Sequence, residues 1–533
     1  MRTGRRITTA SLLVLATDAL LVGWGPSALV LVRATRDFDG PAGLMPQVVL
    51  ETEGVILHDT DVRGVLRCSA GCPPDAGFDT AVEVEYRGRT SRILPKRSMS
   101  IETFAHPLDG AHDTRQDVSL LGMPAHDRWV LHGPYLDHTL VRNALSFDLA
   151  AATGQWAPRA RFVELFVAQG AATLLHQPAQ QGQGAQAGEY MGVYLLCEKP
   201  SAGLARVPLG RDGALLEAHN VVSDSNWEML CNATPGCRDA PPPTAGSALS
   251  SLQNLAGAFT GWFSRSTRAL LGRHTRTVEI GPTAFEIKLP RGQEAADAAA
   301  VWVDKYLRDT DDAVLAQTGN EGCGLTRAGW FGAPAASGGC AEERGGRWRE
   351  LLDSGSLVDY VLHAELIQNG DAYISSTYMS LASESGPLRF GPVWDANIAM
   401  GNDQKLPSTA AGLSGRGSGL RFADPPTLSL SRVARWIHAL YQERGFRAEL
   451  QRRWRALRAG AWRDEALVAM VRRRAAEIGP DAARDNAERW PPAQVWSGIP
   501  QVRPKSYAGS WAQEVAFLES WLRRRAAWLD ANL

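Results

Sequence analysis

Residues 356–402 read SLVDYVLHAELIQNGDAYISSTYMSLASESGPLRFGPVWDANIAMGN. Leu357, Val358, Val361, Leu362 and Leu366 recur at helical spacing, Ser356 with Asp359 resembles a capping box, and the helix is expected to stop near Asn369-Gly370. Residues 373–381 and 388–393 then read as extended segments joined by Ser383-Glu384-Ser385-Gly386-Pro387, which is hairpin chemistry. A hairpin brings its ends together, so Asp371 and Asp395, 24 positions apart, should face one another at one edge of a sheet. Two facing carboxylates invite a cation, and phosphoryl transfer needs such a pair. One Asp accepts the proton of the incoming hydroxyl and the other holds the Mg²⁺ that bridges the phosphates. Two aspartates that merely cap turns would have the same spacing, and spacing alone favours the caps.

Working outward, residues 86–102 read YRGRTSRILPKRSMSIE, a strand, a tight cationic turn and a strand with Lys96, Ser98, Ser100 and Glu102 expected on one face. Backbone amides of residues 88–91, with Arg87, Arg89 and Arg92, could cradle phosphates, and Lys96 could reach them as a point charge. A charged hairpin is more often a solvated sheet edge. Composition raises the first reading, because the chain has six lysines against fifty arginines. A lysine beside Arg97 therefore marks a place where a compact ammonium differs from a guanidinium fork. The overall charge serves only to exclude: 56 basic and 57 acidic residues leave a net −1, so there is no global basic field for nucleic acid. With 44% hydrophobic and 21% charged residues over 533 positions, the chain reads as globular and long enough for about three domains.

Arg2, Arg5 and Arg6 precede an apolar run over residues 10–32, broken mainly by Asp18 and Gly23-Trp24-Gly25-Pro26. This predicts a signal peptide or an N-terminal membrane anchor over residues 1–36, and hence an extracytoplasmic protein, secreted or tethered to the membrane. Cys68 with Cys72, Cys231 with Cys237 and Cys323 with Cys340 are sequence-local pairs that suit disulfides in that compartment, while Cys197 stands alone in an apolar run. Strands are expected over residues 47–58, 81–86, 161–168 and 190–197, a helix over 137–153, an exposed loop over 169–189, and a helical, Arg- and Trp-rich remainder over 429–533. His363-Ala364-Glu365 has no downstream Pro-Cys-x-x-Cys, and neither HExxH nor GxSxG occurs, so deaminase, zinc-protease and α/β-hydrolase chemistry find no support.

Several stretches in order resemble the CotH (spore coat protein H) kinase-like family: RGRTSRILPKRSMSIE (87–102), DRWVLHGPYLDHTLVRNALSFDLA (127–150), RFVELF (161–166), GEYMGVYLLCEKP (188–200), GALLEA (213–218), SLVDYVLHAELIQNGDAYISSTYMSL (356–381), GPVWDANIAMGN (391–402) and WLRRRAAWLDANL (521–533). The resemblance covers residues 80–402 firmly and the helical C-terminus loosely. It implies an α+β, atypical protein-kinase-like two-lobed fold with a β-rich N-terminal lobe and a helical C-terminal lobe. The kinase-like domain would span 45–403, with an N-lobe about 45–220, a loop-rich insertion about 230–280 and a C-lobe core about 290–403. A Gly/Ser-rich linker over 404–428 and a helical extension over 429–533, packing on the C-lobe, would follow.

The implied activity is transfer of the ATP γ-phosphate, with Mg²⁺ or Mn²⁺, to Ser/Thr hydroxyls of surface or secreted proteins, including Ser-rich ones. Carried over by position, Asp371 matches the proposed catalytic Asp, Asp395 the metal-binding Asp of W-D-x-[ND], and Lys96 the phosphate-contacting Lys, with Arg87 and Ser91 in the same turn. Asn397 would supply a second metal ligand. The carboxylate partner of Lys96 lies among Glu164, Glu198 and Glu217, with Glu198 favoured. Arg142 either contacts phosphate or pairs with Asp148. Ordinary kinase motifs are absent: Ser376 stands five residues after Asp371 in place of Asn, and no Gly-x-Gly-x-x-Gly precedes Lys96. The alternative is a non-catalytic surface-assembly or glycan-binding protein that keeps the fold. The presence of both acids and the lysine favours the enzyme.

Overall fold

Alternation of Val82, Val84 and Tyr86 with Glu83 and Glu85 makes a strand with one dry and one polar face, and this strand lies in a closed barrel. A computed structural model describes residues 45–88, 91, 94–105, 114–170, 188–220, 276–316, 346–402, 419–492 and 506–533. The barrel strands are β1 (Gln47–Thr52), β2 (Val62–Ala70), β3 (Asp79–Arg87), β4 (Ser98–Phe104), β5 (Arg128–His132), β6 (Ala160–Gln169) and β7 (Glu189–Glu198), in the order β1-β2-β3-β4-β5-β7-β6. All pairings are antiparallel except β1 with β6, which closes the ring in parallel. Val48, Leu50, Val82, Val84, Ile101, Trp129, Leu131, Val163, Leu165 and Leu196 fill the interior. Period-two alternation then turns Arg87, Ser98, Ser100, His132 and Cys197 outward.

A second, five-stranded antiparallel sheet comprises β8 (Ala214–Asn220), β9 (Thr277–Ile280), β10 (Thr283–Leu289), β11 (Thr377–Leu381) and β12 (Arg389–Phe390), ordered β12-β11-β8-β10-β9. The GALLEA strand, assigned to the N-lobe from sequence, therefore pairs with the later strands β10 and β11. Helices α1 (Arg142–Ala151), α2 (Gln293–Leu315), α3 (Ser354–Ile367), α4 (Arg432–Gln442), α5 (Arg444–Ala459), α6 (Asp464–Arg489) and α7 (Trp511–Asn532) complete the unit. The chain is thus mixed α+β, sheet-rich in its N-terminal part and helical in its C-terminal part, and residues 43–533 pack together. The helical extension packs on the barrel as well as on α3. Bent at Gly479-Pro480, α6 lays its last turns on β7, where Arg489 donates to Tyr190 O and the Trp490 indole to Met191 O.

Helix α3 starts earlier than its sequence suggested. Asp353 is the N-cap and accepts from Ser356 N at 2.7 Å, whereas Asp359 pairs with Arg453 of α5. Asp353 also holds Arg389 of β12, at 2.6 Å. Asp353→Ala is expected to cost about 1 kcal/mol of stability, read as a lowered urea midpoint with an unchanged slope.

Cys68 and Cys72 form the expected disulfide, and Cys197 is a buried free thiol. The N-terminal signal or anchor, the other two cysteine pairs, Arg89, Arg92 and most of the Gly/Ser linker lie outside the described residues. Among the described residues no helix is long and apolar enough to cross a membrane.

Candidate active site

The hairpin β11–β12 returns the chain as expected, with Met379 opposite Phe390 and Ser380 opposite Arg389. The two aspartates meet through Asn369. Its Oδ1 accepts from Asp371 N at 3.2 Å and its Nδ2 donates to Asp395 O at 3.1 Å. Both aspartates are half-buried. Among the described residues, five of the nine non-glycine positions with left-handed φ fall between 368 and 400: Gln368, Tyr373, Ser376, Asp395 and Met400. Such conformations cost of order 1–3 kcal/mol each and persist only where the surroundings impose them.

The surroundings here are specific. Buried Glu365 on α3 accepts from the Tyr373 hydroxyl and from the backbone N–H of Arg421 and Phe422, and pairs with Arg525 of α7. Arg421 in turn donates to Gly370 O at 2.8 Å. The loop that carries Asp371 is therefore fastened by the C-terminal helical region.

Asp395 faces the outward side of the barrel. Trp394 stacks on Phe147 of α1 and takes the Arg87 guanidinium over its ring at 5.3 Å. Burial pushes the Asp395 carboxyl up to about 6, Arg87 opposes the shift and Glu217 reinforces it. Glu217 lies mid-strand on β8, opposite Tyr378 of β11 and Glu286 of β10. It accepts from the Tyr378 hydroxyl at 3.1 Å, and Lys288 bridges it to Glu286 at 3.2 and 2.9 Å. Just past β7, the Lys199 ammonium donates to Ser100 Oγ at 3.3 Å and is pushed down to about 8 by burial and by Arg87.

Arg87 beside Asp395, with Lys199 within reach of the Arg87 charge, suits an anion, and the carboxylates suit a hard cation. All-oxygen donors such as Asp395, Glu217 and Asn397 match Mg²⁺ or Mn²⁺ rather than softer ions. The incomplete ionisation of Asp395 is what a bound cation would relieve.

The remaining candidates from sequence separate into those beside Asp395 and those built into the frame. Arg87 lies over Trp394 and acts on Asp395. Ser91 donates to Arg87 O at 3.4 Å, beside Gly88, whose φ of +109° and crowding against Ser91 Oγ admit no side chain. The expected shared face holds for Ser98, Ser100 and Glu102 but not for Lys96, because β4 begins only at Ser98. Lys96 is fully buried, and its Nζ donates to Val193 O and to Asn486 Oδ1, both at 2.6 Å. The charges that act on Asp395 are those of Arg87 and Glu217.

Glu198 does not pair with Lys96 either. Its carboxylate accepts from Arg159 N and Nη2 and lies 3.6 Å from Arg206, while Glu164 is bonded by Gln47 and Tyr190. Arg142 is fully buried against Asp137 and donates to Ala399 O at 3.0 Å, whereas Asp148 pairs with Arg473 and Arg474. Arg142 therefore braces the loop that carries Asp395. His363 is a core residue bonded to Ser146.

Sequence reading missed Lys199, Glu217 as a neighbour of Asp395, and Asn143, whose Oδ1 accepts from Ala396 N. Lys199 left a signal, being one of only six lysines and sitting at a strand end.

No curated protein matches the chain. The model of the CotH kinase protein family matches residues 84–234 and 342–529, together more than half of the chain. The second stretch runs through the helices that fasten the Asp371 loop, so these too are part of what the family shares. Match and geometry agree on one conclusion: the chain belongs to the CotH kinase family.

Proposed function

We propose that the protein is an atypical, metal-dependent protein kinase that transfers the ATP γ-phosphate to Ser/Thr hydroxyls of surface or secreted proteins, with the barrel and the second sheet with its helices standing as the two lobes about the cleft. The observation that carries the reading is Asn369, which ties Asp371 and Asp395 to one another while Arg87 and Lys199 stand on the facing barrel wall. Phosphoryl transfer asks a protein for little covalent chemistry and for close positioning and charge neutralisation.

In this reading Asp371 accepts the proton of the attacking hydroxyl as its oxygen bonds to the γ-phosphorus. The bond from that phosphorus to the β-phosphate oxygen breaks, and ADP leaves. Asp395, with Asn397 and with Glu217 behind it, would hold the cation, and Arg87 with Lys199 would meet the phosphates as a fork and a point charge. A divalent cation held there would supply charge neutralisation for the transfer. The Cys68–Cys72 disulfide supports an oxidising, extracytoplasmic compartment, where the N-terminal segment would serve as signal or tether.

The test is labelling. The protein is incubated with γ-labelled ATP and Mg²⁺ or Mn²⁺, with and without a Ser-rich protein, beside Asp371→Asn. Wild type is expected to label itself or the added protein, and Asp371→Asn to lose roughly 10²- to 10⁴-fold in rate, the usual worth of a general base, with nucleotide binding retained. A wild type that neither labels nor binds nucleotide sinks the kinase reading in favour of a non-catalytic assembly or glycan-binding protein. Equal labelling by the variant sinks the role of Asp371.

A further inference from the structure

Asp395 has φ of +57°, and the three residues at its turn each have a backbone group held by an asparagine from elsewhere. Asn369 donates to Asp395 O at 3.1 Å, Asn402 donates to Asn397 O at 2.7 Å, and Asn143 accepts from Ala396 N at 2.6 Å. The first two lie within or beside the hairpin. Asn143 comes from α1, more than 250 positions upstream, and ties the turn to the barrel through His132.

Its amide is fixed at both ends. With Oδ1 on Ala396, Nδ2 donates to His132 Nε2 at 2.8 Å. An Nε2 that accepts leaves the imidazole proton on Nδ1, which faces Ser98 Oγ at 3.3 Å, and that oxygen also accepts from Gly133 N at 3.1 Å. Burial, with Arg87 and Lys96 nearby, pushes His132 down to about 3, so the ring stays neutral and the direction of the chain does not reverse. The relay Ser98, His132, Asn143, Ala396 N thus runs from the barrel wall to the peptide adjoining the Asp395 carboxylate.

We infer that Asn143, oriented by His132, is the positioning residue that aims the Asp395 carboxylate at a divalent cation. This rests on the reading of Asp395 as the cation ligand. Residues behind a metal ligand that fix its orientation are typically worth 10- to 100-fold in metal affinity, and a carboxylate on a left-handed turn is unusually dependent on such support.

The test titrates the full-length protein with Mn²⁺ alone and reads free ion by electron paramagnetic resonance, with Tm measured alongside. Asn143→Ala is expected to bind Mn²⁺ about tenfold or more weakly than wild type. His132→Leu, which removes the acceptor for Asn143 Nδ2, is expected to weaken binding several-fold. His132→Gln supplies a side-chain oxygen in its place and is expected to restore it. A purely structural role would lower Tm and leave the Mn²⁺ affinity of the folded variants at the wild-type value, and that result overturns the proposal. If Asn143→Ala does not fold, equal affinity in His132→Leu and His132→Gln overturns it instead. A wild type that binds no Mn²⁺ removes the cation reading of Asp395 and this proposal with it. Binding that is strong in wild type and unchanged in the variants removes this proposal alone.

Discussion

Asp395→Asn is expected to slow phosphoryl transfer by a factor of about 100 or more, the scale of losing one preorganised electrostatic contact, and at the same time to make the metal-free protein more stable. The two effects have one source. Burial and Glu217 disfavour the charged carboxylate, Arg87 compensates only in part, and the group titrates near 6 in the folded protein against about 3.9 for an unstructured Asp. A folded-state value above the unfolded one means that the native protein binds the extra proton between roughly pH 4 and 6, so stability falls as pH rises through that window. The full cost, on the order of 2–3 kcal/mol, is present above about pH 6.

Asn removes the charge yet adopts a left-handed turn as readily as Asp, so the substitution leaves the backbone of the turn in place. Urea unfolding in EDTA should therefore show the variant ahead of wild type at pH 7.5 and level with it near pH 4. Added Mg²⁺ should raise the Tm of wild type and not of the variant, because only the former gains a ligand that favours the native state. Equal stability of the two at pH 7.5 without metal would show that the site is not electrostatically loaded.

How far such a site can be seen in sequence depends on how local its causes are. The hairpin from Asp371 to Asp395 was legible because its turn chemistry, its two short strands and both acids lie within one continuous stretch. The cap of α3 was missed by one turn, since Ser356 and Asp353 are both plausible N-caps and the contact of Asp353 with Arg389 of β12 separates them. Closure of the barrel was not legible, because β1 and β6 meet in parallel across more than a hundred residues and nothing in either strand names its neighbour. The same limit explains the cations. Alternation placed Lys96 with Ser98 only on the assumption that the strand already runs at Lys96, and the partners of Arg142 and Glu198 come from loops that no periodicity connects to them. Lysine scarcity was a sound signal that admitted two answers. It pointed to Lys96, which is bonded to Val193 and Asn486, and Lys199 also lies within reach of the Arg87 charge.

Lys96→Met is expected to destabilise the protein by about 2–5 kcal/mol, on the scale of stranding buried polar partners, while leaving the nucleotide affinity of the folded fraction near that of wild type. Strand β7 continues past the end of β5, whose last paired residue is His132 opposite Leu195. Among the described residues, no strand therefore lies beside Val193 on that side. Asn486 Oδ1 accepts the Val193 N–H at 3.1 Å and Lys96 Nζ donates to the Val193 carbonyl, closing a triangle with Asn486 across 390 positions of sequence. The Tyr194 ring lies under the ammonium at 5.1 Å, and the charge of Asp137 partly offsets a burial that holds Lys96 well below the ordinary lysine range.

Methionine fills the space but leaves the Val193 carbonyl unmet, and it leaves Asn486 Oδ1 with the Val193 N–H in place of two donors. Lys96→Arg is expected to fare little better. Lys96 is fully buried with its Nζ held between two acceptors at 2.6 Å, and a bulkier guanidinium fork has to displace one of them. Arg87→Gln provides the opposite pattern, weakening nucleotide binding with little change in the urea midpoint. If Lys96→Met instead keeps the wild-type midpoint and loses nucleotide, the lysine contacts phosphate and the clamp on β7 is incidental.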